Sequence, residues 1–189
     1  HRLDVAVIYF PRISNLDDVD ALRSEPDVSI RFVKSARNLR TPDIILLPGT
    51  KSTLDDLQWL RKTGLADEIV DAAERGVEII GLCGGYQILG EQINNSQQIE
   101  SDIPSAIGMG LLPIHTNFNG GEKQTRQTSA TIAANTPIPE TAGMTVSGYE
   151  IHQGTSTTNS GWLDIEGAAT PCGSAGYDNR VWGCYLHGL

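Results

Sequence analysis

Four short apolar runs organise the amino-terminal half of the chain. Leu3 to Tyr9 is apolar apart from Asp4. Val28, Ile30 and Phe32 alternate with polar neighbours. Asp43-Ile44-Ile45-Leu46-Leu47 stops at Pro48-Gly49, and Val77 to Leu82 runs straight into Cys83. Runs of this length read as strands, and those with few polar interruptions as strands buried on both faces. Helical stripes lie among them. Leu16, Val19 and Leu22 form one, with Ser14 or Asn15 as its expected cap. Leu57 and Leu60 form a second, opened by Ser52-Thr53-Leu54-Asp55 in the manner of a capping box. Leu65, Ile69, Val70 and Ala73 form a third, stopped by Gly76. Strands alternating with helices predict an α/β domain whose mostly parallel central sheet is covered on both faces. Ligands of such sheets bind beyond the carboxyl ends of the strands. That rule points to Pro48-Gly49-Thr50, to Cys83, and to His187 after Val181 to Leu186.

The second half is less regular. Gly110 to Ile114, Ser129 to Ala133 and Val146 to Ile151 are expected strands. Asn94 to Ser105 reads as polar loop, and Thr116 to Gln127 and Thr155 to Ser160 as mobile or turn-rich connections. No internal repeat or linker divides the chain, so 1–189 is read as one domain. His1-Arg2-Leu3-Asp4 has neither an initiator Met nor the layout of a signal peptide, and enters a strand at once. A domain cut from a longer protein is the expectation.

Charge removes one class of function. Acidic residues outnumber basic ones 23 to 14, for a net charge of -9. A nucleic-acid binder needs a basic face to displace phosphate counterions, and no Lys/Arg cluster offers one. No apolar stretch approaches a membrane span. Three cysteines without a C-x-x-C pair or a secreted framework imply free thiols in a reducing, cytoplasmic compartment.

Gly81-Leu82-Cys83-Gly84-Gly85 is the strongest local signal. It has the form of a nucleophile elbow, a sharp strand-to-helix turn that lifts a reactive side chain off a sheet. The glycines leave room where side chains would strike neighbouring backbone. A helix starting near Gly85-Tyr86-Gln87 aims its amino-terminal N–H groups at the sulfur and favours the thiolate. The Gly84 N–H is placed to stabilise an oxyanion, with a second donor expected from Gly49–Thr50. A bland alternative, Cys83 as a small buried hydrophobe, is what a lone cysteine would deserve. Cys172, in Pro171-Cys172-Gly173, reads as a loop thiol and Cys184 as strand core.

A thiolate needs a partner that steadies it and protonates the leaving amine. His187, at a strand end, is that candidate; His152, closing Gly148-Tyr149-Glu150-Ile151-His152, is its rival, and His115 is less well placed. Cys184 and His187 have half the spacing of a metal site, but no second pair exists. Pro48-Gly49-Thr50-Lys51-Ser52-Thr53 lacks the glycine spacing of a phosphate loop. No metal or cofactor is assigned to the chain.

Together these segments resemble the glutamine amidotransferase domain of the cobyric acid synthases, in the cobyrinate-type branch of the triad glutaminases. The matching pieces are Pro11-Arg12-Ile13-Ser14-Asn15, Leu47 to Thr53, Gly81 to Gln87, Gly148 to His152, and Tyr185-Leu186-His187-Gly188. The resemblance implies a flavodoxin-like, three-layer fold of the class I amidotransferase type. It implies hydrolysis of glutamine to glutamate and ammonia by Cys83 and His187. It also implies an amino-terminal synthetase domain, absent from this chain, that uses ATP and Mg²⁺ to amidate adenosylcobyrinic acid a,c-diamide. Gly85, Tyr86, Gln87, Tyr149, Glu150 and His152 become candidates for the glutamine pocket.

Many triad glutaminases orient the histidine with a Glu two residues later. Leu189 occupies that position, as fits this branch. Glu150 as orienting acid and a simple Cys–His dyad are both open. Three rival readings also stand: a glutaminase subunit serving cell-wall lipid amidation, a catalytically silent binding domain, and a hydrolase on the same elbow.

Overall fold

The computed structural model describes residues 2–120 and 124–188. His1, residues 121–123 within the expected 116–127 connection, and Leu189 lie outside them. The elements are, in order, β1 (Leu3–Ile8), α1 (Asp17–Arg23), β2 (Val28–Val33), α2 (Ala36–Leu39), β3 (Ile44–Leu47), α3 (Thr53–Lys62), α4 (Leu65–Glu74), β4 (Glu78–Leu82), α5 (Gly84–Leu89), β5 (Gln92–Asn94), β6 (Ser105–Ile107), β7 (His115–Asn117), β8 (Gln124–Ile132), β9 (Thr145–His152), β10 (Thr155–Thr157), β11 (Leu163–Ile165), β12 (Ser174–Gly176), β13 (Val181–Cys184) and β14 (Leu186–His187).

Six strands form the central sheet in the order β12-β13-β4-β3-β1-β2. All its pairings are parallel except β12 with β13. Alternation along each strand divides the core. Ala6, Ile8, Leu47 and Ile79 pack with Leu54, Leu57, Leu60, Leu65 and Ile69 of α3 and α4. Val5, Val7, Leu46 and Leu82 pack on the opposite side with Val19 of α1 and with Ala130, Ile132, Leu163 and Ile165. The second cover is therefore α1 plus an antiparallel sheet, β11-β8-β9-β14. A small third sheet, β10-β7-β5-β6, lies beyond α5.

Several expectations needed correction. Gly110 to Ile114 forms no strand. Leu111 and Leu112 are both buried, and the N–H groups of Met109, Leu111 and Leu112 close the carboxyl end of α5 by donating to Ile88 and Leu89 carbonyls. A wrapped helix end accounts for the apolar run. Asn94 to Ser105 holds the end of β5 and the start of β6. Its turn is built on the buried Asn95, whose amide donates to the Ser101 and Ile103 carbonyls and accepts from the Ile99 N–H. The other two connections contain β7, the start of β8, and β10. Val181 to His187 is also not one strand. The chain leaves the central sheet after Cys184 and joins β9 of the antiparallel sheet as β14.

The elbow depends on missing side chains. Cys83 has φ 52° and ψ −112°, an uncommon backbone conformation for a residue with a side chain. A Cβ on Gly81 would lie 2.9 Å from Tyr86 Cα, and one on Gly85 would overlap the Leu47 carbonyl and lie 2.8 Å from the Pro48 carbonyl. Gly85→Ala is expected to lower stability by about 2 kcal/mol or more, as overpacking against backbone does. The measurement is urea unfolding followed by circular dichroism, and a midpoint equal to the parent's would contradict this account.

Candidate active site

Beyond the carboxyl ends of β3 and β4 lies a cavity of about 460 Å³. Cys83, Gly84, Gln87, Thr50, His152 and Glu100 are among its lining residues. The Cys83 thiol donates to the Ile151 carbonyl at 3.5 Å. Its own N–H donates to the Cys184 carbonyl at 2.9 Å. The cysteine is thus fixed between β13 and β9.

Thr50 and Gly84 are neighbours. A Cβ on Gly84 would sit 3.2 Å from the Thr50 nitrogen, so the Thr50 backbone packs against the start of α5. Gly49 is placed differently. Its carbonyl accepts the Ser14 N–H at 2.9 Å, and a Cβ there would lie 3.5 Å from the His187 ring.

Gln87 is held rigidly on the cavity wall. Its carbonyl oxygen accepts from the Thr53 hydroxyl at 2.8 Å, and its amide donates to the Gln153 carbonyl and the Tyr185 hydroxyl. His152 stacks on Tyr185 with centroids 3.7 Å apart. Tyr86 meets Tyr185 edge-on. Gly85 is packed into the elbow, and Tyr86 and Glu150 line a second cavity of about 330 Å³ on the far side of His152. Of the six expected pocket residues, only Gln87 and His152 line the cavity that holds Cys83.

His187 is fully buried. Its Nδ1 lies 2.7 Å from Asp18 Oδ2, and its Nε2 lies 3.3 Å from the Asn15 amide nitrogen. Tyr149 stacks on the ring at 5.1 Å. Burial, then the charges of Asp18, Asp17 and Cys83, push the Tyr149 hydroxyl above its ordinary pKa, which puts Tyr149 within electrostatic reach of both Asp18 and Cys83. Asn15 lines the Cys83 cavity and His187 does not, so the Asn15 side chain is the link between His187 Nε2 and that cavity.

Glu150 does not orient His187. It opposes Leu186 in the β9–β14 pairing, whereas His187 opposes Tyr149, and alternation sends the two to opposite faces. Glu150 instead accepts from Arg126 at 2.7 Å and lies 3.9 Å from His152. Cys184 and His187 form no metal pair: the Cys184 thiol turns back to the Leu186 carbonyl, and no group of three His, Cys, Asp or Glu among the described residues is placed to hold a metal.

Sequence reasoning missed three residues. Asp18 sits among Asp17 and Asp20 in the first turn of α1, where acidic side chains are ordinary partners of the helix dipole. Neither Ser14 nor Asn15, the two expected caps, caps α1: Leu16 holds that position without a side-chain bond, and Asn15 turns to His187 with φ 55°. Glu100 caps α3 from a distance, accepting from the Thr53 and Leu54 N–H groups at 2.8 and 3.2 Å. Ser52, the expected capping residue, donates to Asp55 instead. Burial pushes the Glu100 carboxyl above its ordinary range in spite of those bonds.

The chain matches the model of the CobB/CobQ-like glutamine amidotransferase domain over residues 4–189. It belongs to that family. Cobyric acid synthases from Klebsiella pneumoniae (strain 342) and Moorella thermoacetica are 40% and 39% identical to it, over 99% and 100% of this chain. The chain spans 38% of the length of each. Among solved structures, PurLQS from Thermotoga maritima aligns with a TM-score of 0.73 at 23% identity, covering 99% of this chain and 88% of that one. A glutamine amidotransferase from the same organism aligns at 0.63 with 15% identity, covering 99% and 76%. These likenesses establish the class I amidotransferase fold, and no helix among the described residues is long and apolar enough to cross a membrane.

The pairing of Glu150 can be checked by pH. His152 and Arg126 hold its carboxyl below the ordinary range against the effect of burial. A lowered folded pKa gives stability that is full above the unfolded value of about 4.3 and disappears as pH falls through the folded value. Glu150→Gln is therefore expected to cost about 1.5–3 kcal/mol at pH 7. The deficit should shrink as the pH falls below about 4. Urea unfolding of both proteins at pH 7 and pH 3.5 measures it, and an equal deficit at both would contradict the assignment.

Proposed function

We propose that this domain hydrolyses the side-chain amide of glutamine to glutamate and ammonia, with Cys83 as nucleophile and His187 as acid–base partner. The observation that carries the reading is the place of Cys83. It is the one cysteine on the wall of the cavity beyond β3 and β4, on an elbow at the carboxyl end of β4 and next to Gly84, against which the Thr50 backbone packs. Cys172 and Cys184 make poor competitors, because burial pushes Cys172 up to about 11 and Cys184 well above its ordinary value.

His187 takes the proton of the Cys83 thiol, and the thiolate attacks the amide carbon. The carbonyl oxygen becomes an oxyanion, and backbone N–H groups preorganised beside the sulfur stabilise it. His187 gives its proton to the departing nitrogen, ammonia leaves, and a thioester to Cys83 remains. His187 then takes a proton from water as it attacks the thioester; the C–S bond breaks, the sulfur recovers its proton from His187, and glutamate is released. Gln87, held by three hydrogen bonds, and the Glu100 carboxylate are fixed polar groups for the amino-acid end of the substrate.

The cobyric acid synthases extend well beyond the region this chain matches. We assign the ammonia to an ATP- and Mg²⁺-dependent synthetase domain of the full-length protein, which amidates adenosylcobyrinic acid a,c-diamide in cobalamin biosynthesis. No residue described above is given a part in that step.

Two experiments on the full-length protein test the proposal. A glutamine-mimicking diazoketone is expected to label Cys83, located by mass spectrometry; label on Cys172 or Cys184 alone would sink it. Cys83→Ser is expected to reduce glutamine-dependent amidation to background while added ammonia still supports the reaction. Loss of both activities would make Cys83 a structural residue.

A further inference from the structure

We infer that Asp18, from the amino-terminal end of the chain, is the positioning acid of His187, and that it fixes the imidazole with its proton on Nδ1 and its lone pair on Nε2. The inference rests on the reading of Cys83 and His187 as the reacting pair.

Two independent contacts define the tautomer. A carboxylate can only accept, so the 2.7 Å contact with Asp18 Oδ2 requires the proton on Nδ1. The Asn15 amide nitrogen can only donate, so its 3.3 Å contact requires a lone pair on Nε2. Both hold at once in a single neutral form of the ring. That form presents the basic nitrogen toward Asn15, on the cavity side.

The pair is also well confined. The side chains of His187 and Asp18 are 0% and 4% exposed, so water does not screen them. Asp18 Oδ1 accepts the Gly188 N–H at 2.9 Å, which ties the carboxylate to the backbone beside the ring. Tyr149 stacks on the imidazole and limits its tilt. When His187 takes up a second proton during turnover, Asp18 supplies the facing negative charge. The other titratable groups around the pair include Asp17 on α1, Tyr149 on β9, Cys83 at the elbow and Cys184 at the end of β13. Glu150 lies on the other face of β9. The orienting acid thus comes from the segment after Pro11-Arg12-Ile13-Ser14-Asn15 rather than from the residues that follow the histidine.

The test uses the full-length protein and three readouts. In Asp18→Asn the amide can donate to Nδ1, which reverses the tautomer. The glutamine-dependent kcat is expected to fall by about 10²- to 10⁴-fold, the range of a wrong tautomer in a triad. KM for glutamine is expected to stay within about threefold, because Asp18 is not among the cavity-lining residues. The pH profile of kcat is expected to move to lower pH, because the variant no longer holds a negative charge against the ring. Asp18→Glu, which keeps the carboxylate, is expected to recover part of kcat and of the pH shift. Ammonia-dependent amidation is expected to be intact in both variants. Unchanged kcat in Asp18→Asn, or a loss of kcat with no movement of the pH profile, would overturn the inference. If the variants do not fold, ¹⁵N NMR of the histidines in the parent protein decides: a bare Nε2 and protonated Nδ1 at His187 supports it, and the reverse overturns it. Activity surviving in Cys83→Ser would instead overturn the reading beneath it.

Discussion

Gly85 of the elbow lies so close to the carbonyls of Leu47 and Pro48 that no side chain fits between them. This backbone-on-backbone contact brings the start of α5 against the end of β3. It leaves the Thr50 nitrogen beside Gly84 and turns the Cys83 side chain toward the cavity. The neighbouring strand takes part as well. Gly183 of β13 lies against Gly81 and Tyr86, so the turn is gripped from both sides. A strained φ at Cys83 persists only because its surroundings leave it no alternative. The backbone conformation around Cys83 is therefore a property of sheet packing.

A buried carboxylate fastens the next layer. Asp56, on α3, accepts the Arg12 N–H at 3.3 Å and the Thr50 hydroxyl, with the Arg12 guanidinium 3.6 Å away. Ser14 and Lys51 add backbone bonds to Gly49 and Arg12. The 11–15 segment is thereby laid antiparallel on the loop after β3, through the bridge of Ile13 with Thr50. Burial raises the Asp56 carboxyl above its ordinary pKa, so holding a charge there opposes stability. Its position makes sense as a cross-link: one side chain sets the loop that carries a donor and the segment that carries Asn15 and leads into α1.

The elements legible in sequence were those whose periodicity is enforced by burial on both faces. β1, β3 and β4 are central strands, and α3 and α4 pack whole apolar stripes into the core. The elbow was legible because close backbone approach admits only glycine. The short strands β5, β6, β7 and β10 were not, since three residues are too few to display alternation. Asp18 and Glu100 were hidden for another reason. Each acts on a residue far away in sequence, Asp18 on His187 and Glu100 on Thr53, and a carboxylate in a helix's first turn or a polar loop has the same local signature as a solvated one. The break between β13 and β14 was invisible too, because an apolar run does not announce which sheet its second half will join.

That break decides where His187 stands relative to Cys83, because β14 belongs to a different sheet from β4. β13 pairs with β4 up to Cys184 and Leu82. Had the strand continued in the same sheet, the residues after Cys184 would have run on alongside the elbow itself. Departure at Tyr185 pairs His187 with Tyr149 of β9 instead, two residues along that strand from Ile151, whose carbonyl meets the Cys83 thiol. The histidine is thereby held between two layers, with Tyr149 of the antiparallel sheet on its face and Asp18 of α1 at its edge. A side chain clamped from two layers loses little entropy on reaching its working position, because folding has already fixed it. The same change of sheet leaves Cys184 at the end of the central strand, fully buried with its thiol turned to the Leu186 carbonyl. One bend in the backbone thus places His187 beside Asp18 and Tyr149 and keeps the Cys184 thiol in the core.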